Sequence, residues 1–309
     1  MSDANAPGCV LAFDEERECA TALARALGVP LALIERHRFP DGELKLRLPA
    51  TLPPCVVLLR SLHPPNERLI ELLIAAPAAR ELGAQRLLLV CPYLAYMRQD
   101  IAFLPGEAVS QRHIAGLLAS RFDAVLTVDP HLHRIASLQA VMPGSRAVSL
   151  SAAALVGAWV AQQVRAPLLL GPDEESAQWV SEAARACTPV ADHAWCVKQR
   201  NGDRDVLVTL PPALNCQGRA VVLIDDMAST GRTLMAASRL VLADGAVSVD
   251  VAVTHGLFVG DAMAELRACG VGRVWSTDTV PHPSNAISVV PLFAHALRQG
   301  SQGLAPARQ

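Results

Sequence analysis

Aromatic residues are scarce: Phe, Trp and Tyr together make up 4% of the 309 positions, whereas 51% of the chain is hydrophobic. Any core must therefore be built mainly from Ala, Leu and Val, and disorder over most of the chain is excluded. Charge of one sign is also missing. A formal net charge of -2 leaves no global basic field for nucleic acid or an anionic membrane. Anionic ligands must be held locally. The eight cysteines never fall at CxxC spacing, which argues against both a zinc site and a disulfide frame and leaves reduced core thiols. No uninterrupted apolar run is long enough to span a bilayer, and the opening MSDANAPG lacks the charged and apolar regions of a secretory signal. A soluble cytoplasmic protein without nucleic-acid or membrane partners is expected.

What is present is alternation. Short apolar runs at 9–13, 55–59, 86–90, 124–128, 167–170, 220–224, 249–253 and 273–276 look like buried parallel strands. Between them, periodic stretches at 15–27, 66–82, 108–120, 151–164, 175–187, 231–242 and 260–269 read as helices. This pattern predicts α/β units with helices on both faces of mainly parallel sheets. Pro77 should kink or restart the helix at 66–82. The length implies about two domains, and the turn residues Met142, Pro143, Gly144 and Ser145 near the midpoint mark the expected boundary. Domains at 1–144 and 145–298 follow, with a polar, flexible tail at 299–309.

The strongest chemical signal is the stretch 220–234, AVVLIDDMASTGRTL. Five apolar residues form a strand, Asp225 and Asp226 stand at its carboxyl end, and Ser229, Thr230, Gly231, Arg232 and Thr233 form a loop that opens a helix. Ligands of open α/β sheets bind beyond the carboxyl ends of the strands. Backbone N–H groups and hydroxyls at a helix N-terminus suit a phosphate dianion. The two carboxylates would repel that phosphate, so they suit ribose hydroxyls, directly or through Mg²⁺.

This segment resembles the phosphoribosyl-diphosphate loop shared by type I phosphoribosyltransferases and ribose-phosphate pyrophosphokinases. Other segments favour the pyrophosphokinases: Phe39-Pro40-Asp41-Gly42-Glu43, the run 92–100 (PYLAYMRQD), and Val128-Asp129-Pro130-His131. With Gly171-Pro172-Asp173, Lys198-x-Arg200 and Thr254-His255-Gly256, the resemblance runs in order from about residue 9 to about residue 297. It implies two tandem type I phosphoribosyltransferase-like domains and Mg²⁺-dependent transfer of the β,γ-diphosphoryl group of ATP to the anomeric hydroxyl of ribose 5-phosphate.

By the same resemblance, Lys198 and Arg200 stabilise the transferring group, and their i, i+2 spacing on a strand points both one way. Arg98, Gln99 and Asp100 hold ATP. Phe39, Asp41 and Glu43 complete the adenine pocket from a neighbouring subunit, which makes the protein a homo-oligomer. His131, selected over His133 by the family spacing, would ligate the Mg²⁺ on ATP, although Mg²⁺ generally prefers oxygen. Asp173 would bind ribose or a second metal. The chain departs from the family in two places. Ser229 and Arg232 stand where acidic residues and glycine are frequent. Glu174 and Glu175 follow Asp173 where small residues are usual, and they are expected to open the next helix, where acidic side chains favour the positive end of its dipole. A catalytically weak regulatory paralogue and a phosphoribosyltransferase are the alternative readings. Retained Lys198 and Arg200 argue against the first, and the elements at 39–43 and 98–100 against the second.

Overall fold

The computed structural model describes residues 6–132, 134–201 and 205–300, and only the backbone at 198–201, 205–208 and 300. His133 and residues 301–309 of the expected tail lie outside the described residues. The chain divides into two compact units, one formed by residues 1–150 with 289–309 and the other by 151–288.

In the first unit, β1 (Cys9–Ala12), β2 (Leu31–Leu33), β5 (Cys55–Leu59), β6 (Arg86–Cys91), β7 (Ala124–Val128) and β8 (Arg146–Leu150) form one sheet. The order is β2-β1-β5-β6-β7-β8 and every pairing is parallel. β1, β5 and β7 are buried along their whole lengths, as expected of strands covered on both faces. The helices are α1 (Arg17–Leu27), ended by Gly28 in the left-handed region (φ 72°), α2 (Pro65–Glu81) and α3 (Ser110–Ala119). α2 continues through Pro77 as one helix, so the expected restart does not occur. β3 (Glu35–Arg38) and β4 (Leu44–Arg47) form a separate antiparallel hairpin after the edge strand β2.

The second unit repeats the scheme. Its sheet has the order β10-β9-β13-β14-β15-β16, again all parallel. The strands are β9 (Leu168–Gly171), β10 (Asp192–Trp195), β13 (Ala220–Ala228), β14 (Ser248–Gly256), β15 (Val271–Thr277) and β16 (Asn285–Ile287). A second hairpin, β11 (Val197–Asn201) with β12 (Asp205–Thr209), follows β10. Helices α4 (Ala153–Gln163), α5 (Ala177–Ala186), α6 (Arg232–Ala243) and α7 (Ala262–Ala268) cover the sheet. Alternation along β13 serves two cores: Val221 and Leu223 pack with Leu234, Ala237 and Val241 of α6, and Val222 and Ile224 pack with residues of α4 and α5. Gly157 is where α4 meets α5, because a Cβ there would stand 2.0 Å from the Ala183 carbonyl oxygen.

The expected boundary at 144/145 falls one strand early, because 146–150 pairs with β7 and completes the first sheet. Residues up to 298 were expected in the second domain and no helix was expected over 290–298, but 290–300 form the last helix, α8 (Val290–Gly300), which packs on α1 and belongs to the first unit.

Candidate active site

In the second unit the chemistry gathers at the carboxyl ends of β9, β13, β14 and β15. β13 is longer than its apolar run: it pairs with the nine-residue β14 through Ala228 opposite Gly256, which carries Asp225 and Asp226 inside the ladder. Asp226 is buried (4% exposed) and its N–H donates to Asp225 Oδ1 at 3.0 Å. Asp173 follows β9, is 7% exposed, and caps the short turn Glu174–Ser176 by accepting the Glu175 N–H at 3.1 Å. Burial, then the charge of Asp226 and that of Asp173, hold the Asp225 carboxyl well above the usual carboxylate range. Three carboxylates therefore converge on a place where a hydroxylated or cationic ligand would relieve their repulsion.

A raised native pKa lets the folded protein bind a proton more tightly than the unfolded chain. Stability is then greatest below the unfolded value of about 3.9 and falls as pH rises through the native one. Asp225→Asn should accordingly raise Tm at pH 7 and have little effect at about pH 3.5, as thermal melts at both pH values would show. A lower Tm at pH 7 would contradict the repulsion.

The loop from Ser229 to Thr233 is anchored from behind. The Ala228 carbonyl accepts N–H groups from Leu257 (3.0 Å) and Phe258 (2.9 Å), and the Ser229 carbonyl accepts from Val259 (3.0 Å). Phe258 makes this turn at φ 36°, a conformation costly for a bulky residue. With those carbonyls engaged, Gly231 (φ 72°) turns the chain into α6. The first helical turn carries no acidic residue and begins at Arg232, so its unpaired N–H groups, the hydroxyls and the guanidinium suit a phosphate.

Glu174 and Glu175 are exposed in the turn that leads into α5. They stand at the positive end of the helix, as expected. Glu175→Gln should cost about 0.3 to 1 kcal/mol of stability, as denaturant unfolding of parent and variant would show. An unchanged stability would contradict the favourable contact with the helix dipole.

Behind the loop lies a polar network that motif spacing did not reveal. The His255 Nδ1 lies 2.8 Å from the Thr279 hydroxyl, and Thr277 and Thr279 both donate to the Thr254 carbonyl, at 2.7 and 3.1 Å. Thr277 and Thr279 follow the expected strand at 273–276 as a polar run, which is the one signal the sequence carries for them. The backbone places Lys198 and Arg200 at alternate positions of β11, opposite Val208 and Val206.

In the first unit, Arg98 is exposed, Gln99 is half-buried and Asp100 is 2% exposed in the loop after β6. Arg134, not anticipated, donates to Asp100 Oδ1 at 2.9 Å and ties this loop to the one after β7 that carries His131. Asp100 Oδ2 is buried without a partner. Phe39, Asp41 and Glu43 sit elsewhere in the sheet order, on the exposed turn between β3 and β4. Among the described residues no group of three or more His, Cys, Asp or Glu side chains forms a metal cage. No described helix is long and apolar enough to cross a membrane.

A family profile described as the N-terminal domain of ribose phosphate pyrophosphokinase matches residues 9–121. A second, described as a phosphoribosyl synthetase-associated domain, matches residues 183–293. The ribose-phosphate pyrophosphokinase of Methanopyrus kandleri is 37% identical over 292 residues, covering 93% of this chain and 98% of its own. That of Methanosarcina acetivorans is 36% identical, covering 91% and 95%. The crystal structure of phosphoribosylpyrophosphate synthetase from Mycobacterium smegmatis superposes with a TM-score of 0.80 at 25% identity, covering 95% of this chain and 98% of that one.

Proposed function

The chain belongs to the ribose-phosphate pyrophosphokinase family, and on that premise we propose that it transfers the β,γ-diphosphoryl group of ATP to the anomeric hydroxyl of ribose 5-phosphate, releasing AMP. The observation that carries this reading is the junction of β13 with α6. Two carboxylates and a carbonyl-anchored phosphate loop meet there, in a chain that follows a pyrophosphokinase over nearly its full length.

The N–H groups and hydroxyls of 229–233 and the Arg232 guanidinium hold the 5-phosphate. Asp225 and Asp226 orient the ribose hydroxyls, and Asp173 faces the sugar or a metal. Bound Mg²⁺ would screen the phosphates, with His131 as the residue that would hold the ion on ATP and Asp173 as the residue that would hold a second ion if it does not meet the ribose itself. Arg98 and Gln99 meet ATP, and Asp100, fixed by Arg134, sets the shape of their loop. The exposed turn with Phe39, Asp41 and Glu43 reaches the nucleotide of a second copy, so the working form is a homo-oligomer. Lys198 and Arg200 meet the diphosphoryl group as it moves. Catalysis is positioning and charge stabilisation, because the reacting phosphates need little covalent help. None of the eight cysteines forms a disulfide and six of them are buried, which supports a reducing, cytoplasmic setting.

The test is AMP formation from ATP, Mg²⁺ and ribose 5-phosphate. Turnover that requires the sugar phosphate supports the assignment. ATP binding without AMP release would overturn it in favour of a regulatory relative, and consumption of phosphoribosyl diphosphate with a nucleobase would overturn it in favour of a transferase.

A further inference from the structure

The densest charge cluster in the first unit is buried and belongs to neither ligand loop. Arg60, just past β5, is 1% exposed; its Nη1 donates to Glu16 Oε2 at 2.6 Å and its Nη2 to Glu71 Oε2. Glu71 lies on α2 and is 0% exposed. Its other oxygen, Oε1, accepts from Nη1 of Arg36 at 2.5 Å, and Arg36 also pairs with Glu15 through Nη2. One carboxylate is thus shared by two guanidiniums, one from the end of a central strand and one from the β3–β4 hairpin.

The hairpin has little else to hold it. All four residues of β3 are exposed. Arg38 pairs with Glu67 at 2.9 Å between two exposed side chains, an interaction of small worth. Leu44 and Leu46, on the same face as Arg38 and Arg36 by cross-strand register, are only half-buried. The turn itself is firm: the Phe39 N–H donates to the Glu43 carbonyl and the Gly42 N–H to the Phe39 carbonyl, both at 2.9 Å, and the Glu43 N–H donates to Asp41 Oδ1 at 3.2 Å. The His37 and Phe39 rings meet edge-on at 4.8 Å. A firm turn on a lightly held stalk takes its direction from the ion pair of Arg36 with the buried Glu71.

We propose that Arg36 and Glu71 are positioning residues, and that the Arg36–Glu71–Arg60 junction fixes the angle at which the hairpin presents Phe39, Asp41 and Glu43 to the nucleotide. The inference rests on the reading of those three residues as nucleotide contacts. At about 3.3 Å per residue the turn stands roughly 10 Å beyond Arg36, so a tilt of about 6° displaces it by about 1 Å. Displacements of that size are costly where groups must meet a ligand in register.

Arg36→Met tests this, because Glu71 keeps Arg60 as a partner and the fold keeps its buried pair. The variant should raise the KM for ATP by about tenfold and leave the KM for ribose 5-phosphate and the Tm close to the parent values. Arg36→Lys should recover part of the loss. In a Phe39→Ala background, where the ATP KM is already raised, Arg36→Met should add less than about twofold, since both act through the same turn. An unchanged ATP KM in Arg36→Met, or effects that multiply fully in the double variant, would overturn the positioning role. An unchanged ATP KM in Phe39→Ala would instead remove the nucleotide reading of the hairpin, and the inference with it.

Discussion

Lys198→Ala and Arg200→Ala are each expected to lower kcat for AMP formation by about 10²- to 10³-fold, with either substrate's KM moving by less than about threefold. The reason lies in when the charge is needed. On the proposed assignment ATP and ribose 5-phosphate have their own anchors before reaction: the loop at 229–233 for the sugar phosphate and the segment 98–100 for the nucleotide. The anionic β,γ-diphosphoryl group changes its position and the distribution of its charge as it passes between leaving and attacking oxygens. A cation that meets it then lowers the barrier without tightening either ground state, which shows as a loss in kcat and kcat/KM together. Residues 198 and 200 occupy alternate positions of one strand of the β11–β12 hairpin. Steady-state kinetics with both substrates varied would separate the cases. A raised KM at unchanged kcat would make these residues simple ground-state contacts.

Contiguous chemistry was legible in the sequence and distributed chemistry was not. The run from Ala220 to Thr233 holds strand, carboxylates and loop in one stretch, so local patterning sufficed to place the strand, its two aspartates and the turn that opens α6. The length of β13 escaped that reading, because a strand with two carboxylates breaks the apolar run; pairing with β14 carries it on to Ala228. β3 was invisible for a related reason. Its residues Glu35, Arg36, His37 and Arg38 offer no apolar alternation, and what holds them is an ion pair to a helix 35 residues away. Residues 290–298 were assigned to the second domain by their place in the chain, whereas α8, which they form, contacts α1 at the other end of the sequence. Arg60 and Glu71 look like ordinary solvated charges until the fold closes over both.

Arg60→Met is expected to destabilise the first unit by about 3 to 5 kcal/mol, the usual consequence of removing one partner from a buried ion pair. The guanidinium is wedged between carboxylates of two elements and lies 4.3 Å from the centre of the Phe13 ring. Methionine can fill much of the volume and keep the apolar contact, but it leaves Glu71 with Arg36 alone and Glu16 with Arg68 alone. Burial already holds the Glu16 carboxyl above its ordinary value, against the pull of Arg60 and Arg68. Losing Arg60 should push it higher. A carboxyl with a raised native pKa contributes most stability when protonated, and that contribution is lost as pH climbs from about 4.3 through the native value. The deficit of Arg60→Met should therefore be smaller at pH 5 than at pH 8. Denaturant unfolding of parent and variant at the two pH values measures this directly. A deficit below about 1 kcal/mol at pH 8 would mean that the cluster is solvated and is no rigid anchor, whereas Arg36→Met, which leaves the Arg60–Glu71 pair in place, should keep most of the parent stability.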